Sequence, residues 1–379
     1  MEDIKDYFNP INKESFNQSF LKEGSYGYAL LNNSKPLLSN NAAIAIIGIT
    51  ETRNSYPQKY SVSIDAVREY FYKLSEINRI NVIDLGNLKP GQQVKDTYAS
   101  ITHISNVLIS NGIIPLFIGG SQDTTLPILS GITQQIKEPE LALIDSFLDI
   151  DNEDFHSKSY FHTLLNQFGN KLLVSIIGYQ TYFAVPNQLR FLADNHIEAV
   201  RLGNVRNSMT QAEPILRDAD LVSFDLSSVR QPDCPASTSP GPNGFYSEEA
   251  CQLANLSGLS DKLKAFAICE YQSDKDTNGQ SAHLVAQLMW HFIFGISQRK
   301  GDFPAKDLST YKKIYVRFDK TDSDLVFYQN ELNNRFWVEI PINATGNKRI
   351  ISCSERDYLD ICNNEIPDRI WKNISKYLK

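Results

Sequence analysis

Histidine is scarce in this chain: six copies in 379 residues, at His103, His156, His162, His196, His283 and His291. Cysteine is also sparse. Its five copies (Cys234, Cys251, Cys269, Cys353, Cys362) stand far apart with no Cys-x-x-Cys pair, which excludes a zinc finger and reads as free thiols of a cytoplasmic protein. No apolar run approaches the roughly 18 residues that a membrane span needs. The opening Met1-Glu2-Asp3-Ile4-Lys5-Asp6 is polar and acidic, so no signal peptide is expected. Positive charge is in deficit, with 37 Lys and Arg against 44 Asp and Glu. That balance argues against a nucleic-acid surface, which wants clustered cations. No phosphate-binding or dinucleotide fingerprint follows any strand-like run.

What is present is an ordinary globular balance, 42% hydrophobic and 21% charged, with a clear internal order. Between about residues 40 and 295, short apolar runs alternate with amphipathic stretches. Strands are expected at 43–49, 81–85, 113–118, 141–144, 172–177, 199–202, 221–224 and 264–269. Helices fit between most of them, including 63–74 and a long last one at 281–295. Such alternation implies a three-layer α/β/α fold with a mainly parallel sheet covered on both faces. The texture changes after Gly295. Three strand-like segments (313–318, 324–329, 335–340) and two short helices (355–363, 366–378) suggest a division into 1–295 and a C-terminal extension, 296–379. The extension reads as β-rich, then helical, either packed on the main domain or forming a small one.

In a parallel α/β sheet, ligands sit beyond the carboxyl ends of the strands. Four groups fall there: Gly119-Gly120-Ser121-Gln122-Asp123, Asp145-Ser146-Phe147-Leu148-Asp149, Asp225-Leu226-Ser227-Ser228-Val229-Arg230, and Glu270-Tyr271-Gln272. Carboxylates at the same end of three strands repel one another unless a cation or protons neutralise them. The pattern therefore points to a present or former metal site, or else to acids that cap helices and face water.

These residues carry a resemblance. Gly119–Asp123 resembles the Gly-Gly-Asp-His-Ser motif of the ureohydrolases, the arginase, agmatinase and formimidoylglutamase family. Asp145–Asp149 resembles that family's Asp-Ala-His-x-Asp. Ser223-Phe224-Asp225-Leu226-Ser227 with Pro235-Ala236-Ser237-Thr238-Ser239-Pro240 resembles Ser-Phe-Asp-Val-Asp followed by Pro-Ala-Thr-Gly-Thr-Pro. Ala267–Tyr271 falls where the family carries Val-Glu-Val. The resemblance implies an arginase-like fold over roughly 250 residues, an oligomer, and hydrolysis of C–N bonds in guanidines or linear amidines by two divalent metals that acidify a bridging water.

Carried over residue by residue, the implied ligand set is incomplete. Asp145, Asp149 and Asp225 are kept, whereas Gln122 and Phe147 stand at the two histidine positions and Ser227 at the last aspartate. Gln122, Asp145, Asp149 and Asp225 form an all-oxygen set that accepts at most one weakly held Mn, Mg or Ca ion. No binuclear manganese centre is expected, because a phenyl ring offers no lone pair. The candidate catalytic groups are Glu270, which matches an acid on the family's substrate side, and His156, in the loop where arginases place a proton-shuttling histidine. Ser227, Glu270 and Arg230 are expected around a polar pocket, with Arg230 offsetting part of the acid cluster and at least one carboxyl pKa raised.

Three functions remain open at this point. The chain is an inactive homologue that binds a small molecule or a protein partner, an altered one-metal C–N hydrolase, or an assembly protein whose C-terminal segment makes the contact.

Overall fold

A computed structural model of the protein describes residues 2–16, 21–32, 43–150, 154–304, 308–318, 324–341 and 347–377. The apolar runs form a nine-stranded sheet: β1 (Phe8–Asn9), β2 (Ile44–Ile49), β3 (Val82–Leu88), β4 (Ile114–Gly119), β5 (Glu140–Ile144), β6 (Leu173–Tyr179), β7 (Glu198–Arg201), β8 (Leu221–Asp225) and β9 (Ala265–Cys269). Its order is β1-β3-β2-β4-β9-β8-β5-β6-β7, parallel throughout except for the short β1–β3 pair. The expected strands are therefore present. β1 is an addition, too short for periodicity to signal.

Two apolar cores lie on the two sheet faces, and strand alternation sorts side chains between them. In β2, Ile44 and Ile46 join one core, and Ala45, Ile47 and Ile49 the other. Helices Asp65–Phe71, Ser247–Gly258 and Gln280–Ser297 cover the first face, and Val94–Ser110, Thr125–Ile132 and Tyr160–Phe168 the second. This is the three-layer α/β/α arrangement read from the sequence.

Beyond the last of these helices, β10 (Lys312–Val316), β11 (Leu325–Asn330), β12 (Arg335–Pro341) and β13 (Lys348–Cys353) form a separate antiparallel meander, followed by helices Glu355–Cys362 and Asp368–Tyr377. Three strands were expected here and four are found. β13 opens on Lys348-Arg349 and has only a short apolar stretch, so neither alternation nor a long run marks it. The sheet buries Phe327, Phe336, Val338 and Ile351 against the two helices, and Val326, Tyr328 and Trp337 on its other face.

This second sheet is joined to the first by charge. Arg369, buried in the last helix, pairs with Asp218 at 2.5 Å and with Glu198 of β7, and its Nε donates to the Ser352 carbonyl at 2.8 Å. Arg217 lies over the Trp337 ring at 4.4 Å and donates to the Cys353 carbonyl at 3.0 Å.

The turn after β4 depends on glycine. Gly119 has φ +85°, and a Cβ there would lie 2.6 Å from the Ile49 carbonyl oxygen and 2.6 Å from Ile64 Cδ1. Gly119→Ala is thus expected to cost about 3 kcal/mol, from a left-handed residue plus a clash with backbone. Urea unfolding midpoints would measure it. A loss under about 1 kcal/mol would mean that the turn relaxes freely.

Candidate functional site

β4, β9, β8 and β5 are consecutive neighbours in the sheet, so the four polar groups that follow them converge. The sheet aims them. Ligand oxygens of Asp145, Asp149 and Asp225 lie within 4.8 Å of one another. All three residues are buried, at 2%, 5% and 0% exposure. Glu270 is buried beside them, its Oε1 accepting from the Gln122 backbone N–H at 2.7 Å and its Oε2 from Tyr60 Oη at 3.4 Å. Asp149 and Glu270 have φ of +52° and +67°, a strained conformation for residues with a Cβ that recurs at functional sites.

Local hydrogen bonds fix the acids. Asp145 Oδ1 accepts from the Phe147 amide at 2.9 Å and from Ser227 Oγ at 3.3 Å. Asp225 Oδ1 accepts from the Ser227 amide at 2.6 Å. Ser146 Oγ donates to the Ser227 carbonyl at 3.0 Å, which ties the two loops together. Asp149 Oδ2, Asp225 Oδ2 and both amide atoms of Gln122 meet no hydrogen-bond partner among the described residues. Gln122 reaches toward Asp145 without completing a bond.

The cation at the cluster is Lys158. Its Nζ lies 3.5 Å from Asp149 Oδ1, with the side chain 12% exposed, and sits 4.2 Å from the centre of the Phe147 ring. Phe147 in turn stacks on Phe183 at 4.5 Å, and Phe183 meets Tyr182 edge-on at 4.7 Å. Tyr182 and Phe183 stand 65% and 41% exposed. The acid cluster is therefore covered by an ammonium, a phenyl ring and an aromatic rim, and Gln122, Ser227 and Glu270 are buried with it. A cavity of about 400 Å³ lies elsewhere, between β7 and the C-terminal helices, where it is lined by Asn204, Thr210, Ser354, Arg369 and Lys372.

Electrostatics follow from this closure. Burial, then repulsion by Asp149, pushes the Asp145 carboxyl up to about 7. Burial raises Asp149 to about 7, with the charge of Asp225 adding and that of Lys158 opposing. Asp225 also rises to about 7, by burial and by Asp145. Burial and Asp225 take Glu270 to about 8. For Lys158, burial favours the neutral amine, but the surrounding carboxylates outweigh it and keep the ammonium charged well above neutrality. The expected rise in carboxyl pKa is found.

Two of the expected site residues are not brought in. Arg230 pairs with Asp233 through two 2.9 Å hydrogen bonds and lies over the Tyr246 ring at 3.8 Å. A carboxylate three residues away holds it at the surface. His156 stacks on Tyr56 at 4.4 Å, and its Nδ1 accepts from the Lys158 amide at 3.0 Å, so its ring shapes a turn. The residue that sequence reasoning missed is Lys158. Repulsion among the acids calls for a cation or protons, but nothing in the spacing marks a lysine nine residues beyond Asp149.

The arginase family model matches residues 42–295. The chain belongs to the arginase family. Among curated relatives, the formimidoylglutamases of Staphylococcus haemolyticus (strain JCSC1435) and Staphylococcus aureus (strain MSSA476) are each 20% identical over 241 residues, covering 60% of this chain and 77% of theirs. Among solved structures, the formiminoglutamase of Trypanosoma cruzi with Mn2+2 superposes with a TM-score of 0.66 at 18% identity, over 73% of this chain and 100% of that one. The formimidoylglutamase of Bacillus subtilis gives 0.62 at 16% identity, over 68% and 88%. The arginase-like fold is thus shared, with the second, antiparallel sheet lying beyond the matched region. No helix among the described residues is long and apolar enough to cross a membrane.

Proposed function

We propose that this chain is an arginase-family member that has lost binuclear metal hydrolysis and acts by binding a small molecule or a protein partner at the strand ends. The carrying observation is Phe147. Its ring is clamped between Phe183 and the Lys158 ammonium, at the middle of a motif where a second metal needs a donor. Ser227 gives no carboxylate, and its hydroxyl is spent on Asp145. The residues present do not fit two divalent ions, and no hydrolytic step is assigned. The exposed Tyr182 and Phe183 support recognition of an apolar or planar group at the rim. We place the protein in the cytoplasm, in keeping with its free thiols.

A second reading keeps a single cation and altered C–N hydrolysis. It is favoured by the three convergent carboxylates and by the two Oδ2 atoms that lack partners.

Turnover assays decide between them. Urea release from arginine or agmatine, and formamide release from formiminoglutamate, are expected to match a no-enzyme control even in excess Mn2+. Metal-dependent turnover that is lost in Asp225→Asn would overturn the proposal in favour of the second reading.

A further inference from the structure

Three buried carboxylates with oxygens inside 4.8 Å need protons or positive charge beside them, and among the described residues Lys158 brings an ammonium to 3.5 Å from one of them. We infer that the Lys158 ammonium, paired with Asp149 at the edge of the acid set, is the resident cation of this cluster and takes the place of a metal ion's charge, so that the site is metal-independent. This goes beyond the proposed function, which leaves room for one weakly held ion.

Four observations converge on it. First, the backbone that carries the ammonium is fixed, and the buried Nζ meets Asp149 as an ion pair without a hydrogen bond to any described residue. Lys158 lies in a turn where Ser159 Oγ donates to the Asp154 carbonyl at 2.7 Å and accepts from the His156 amide at 3.0 Å. The Ser157 amide donates to the Asn54 carbonyl at 2.8 Å, and Ser157 Oγ accepts from the Tyr56 amide at 3.2 Å. The turn is thereby fastened to the 54–56 loop.

Second, Phe147 is the wrong neighbour for a coordinated metal and a suitable one for an ammonium. A phenyl ring has no lone pair, but its face attracts a desolvated cation, and Nζ lies 4.2 Å from the ring centre.

Third, the acid set is one carboxylate smaller, so less charge has to be offset, although one ammonium alone does not balance three ionised acids. By the family resemblance, two dications face four aspartates; here a monocation faces three, with neutral Ser227 at the fourth place. Loss of that carboxylate lowers the repulsion that a single ammonium must offset.

Fourth, the two cations disfavour each other. A divalent ion takes carboxylate oxygens at about 2.0–2.6 Å, and an ammonium 3.5 Å from Asp149 Oδ1 would face it across one oxygen. Occupancy by a metal therefore sets a second positive charge beside Lys158, and the repulsion disfavours holding both.

The test uses the full chain purified without chelator, with Mn2+ alone as the probe, metal content by mass spectrometry, and thermal melts in EDTA and in millimolar Mn2+. The wild type is expected to hold no stoichiometric metal and to melt at the same temperature in both. Lys158→Ala is expected to melt lower in EDTA by about 4 °C or more, to take up about one ion per chain, and to regain its melting temperature in Mn2+. Lys158→Arg, which keeps the charge, is expected to stay metal-independent. If Lys158→Ala fails to fold, Lys158→Ala with Asp149→Asn removes one charge of each sign and is expected to fold. Wild type that binds Mn2+ stoichiometrically and melts higher with it would overturn the inference. So would a Lys158→Ala protein as stable in EDTA as the wild type. Failure here is separable from failure of the proposed function: Mn2+ binding without turnover defeats this inference alone, and turnover in EDTA defeats the proposed function alone.

Discussion

The melting temperature of the metal-free protein is expected to fall as the pH rises from about 5.5 to about 8.5, at a cost on the order of 3 kcal/mol or more. Asp145, Asp149 and Asp225 hold their protons to about 7 in the folded chain and Glu270 to about 8, against ordinary carboxyl values near 4 once unfolded. A raised folded-state pKa contributes stability that is complete below the unfolded value and is lost as the pH climbs through the folded one. The other ionisable groups facing the cluster do not reverse this: Lys158 stays charged across the window, and burial pushes Tyr60, Tyr160 and Cys269 upward, away from it. Asp225→Asn keeps an oxygen for the Ser227 amide and removes one of the three charges. It is expected to flatten the slope and to leave stability at pH 8 unchanged or higher. Paired melts in EDTA across the pH range check both statements. A marked loss in Asp225→Asn at pH 8 would mean that Asp225 is paired with a cation more closely than Lys158 allows.

Arg369→Met is expected to cost about 3–5 kcal/mol, the penalty for stranding buried partners of a removed charge. Asp218, which also accepts from the Ser352 amide at 2.9 Å, and Glu198 would both be left without the guanidinium. Glu198 is already raised in pKa by burial despite Arg369, so its ionised form depends on that partner. Arg369→Lys should recover little, since one ammonium cannot reach the Ser352 and Pro214 carbonyls and two carboxylates together. Denaturant unfolding measures the loss, and limited proteolysis at 298–302, after the helix Gln280–Ser297, should release the C-terminal segment faster in the variant. Unchanged stability and cleavage would show that the two sheets do not rely on this pair.

Much of this was legible in the sequence for a simple reason. Buried parallel strands must be apolar along their length, so 113–118, 141–144, 221–224 and 264–269 announce themselves, and their ends locate Gln122, Asp145, Asp225 and Glu270 from the sequence alone. The long helix at Gln280–Ser297 was legible because its apolar residues recur at helical spacing. What stayed hidden depends on tertiary approach. Arg230 looked like the counter-ion because it lies five residues after Asp225, but Asp233 on the same loop captures it. Lys158 lies outside every motif and meets Asp149 from a serine-rich turn that is fastened to residues 54–56. β13 was hidden because its partners on β12, not its own pattern, make it a strand.

The rims of the nine-stranded sheet bear on how copies of this chain can associate. One rim is β1, two residues long and followed by Pro10, which cannot donate to a ladder. The other is β7, four residues long, against which the C-terminal helix sets Arg369 on Glu198. An open sheet edge is a template for pairing with another chain, and short strands, proline and a covering helix are the ways such pairing is suppressed. Strand addition to this nine-stranded sheet is therefore disfavoured at both rims, which leaves the edges of the second sheet, helices and loops as the surfaces through which copies could meet.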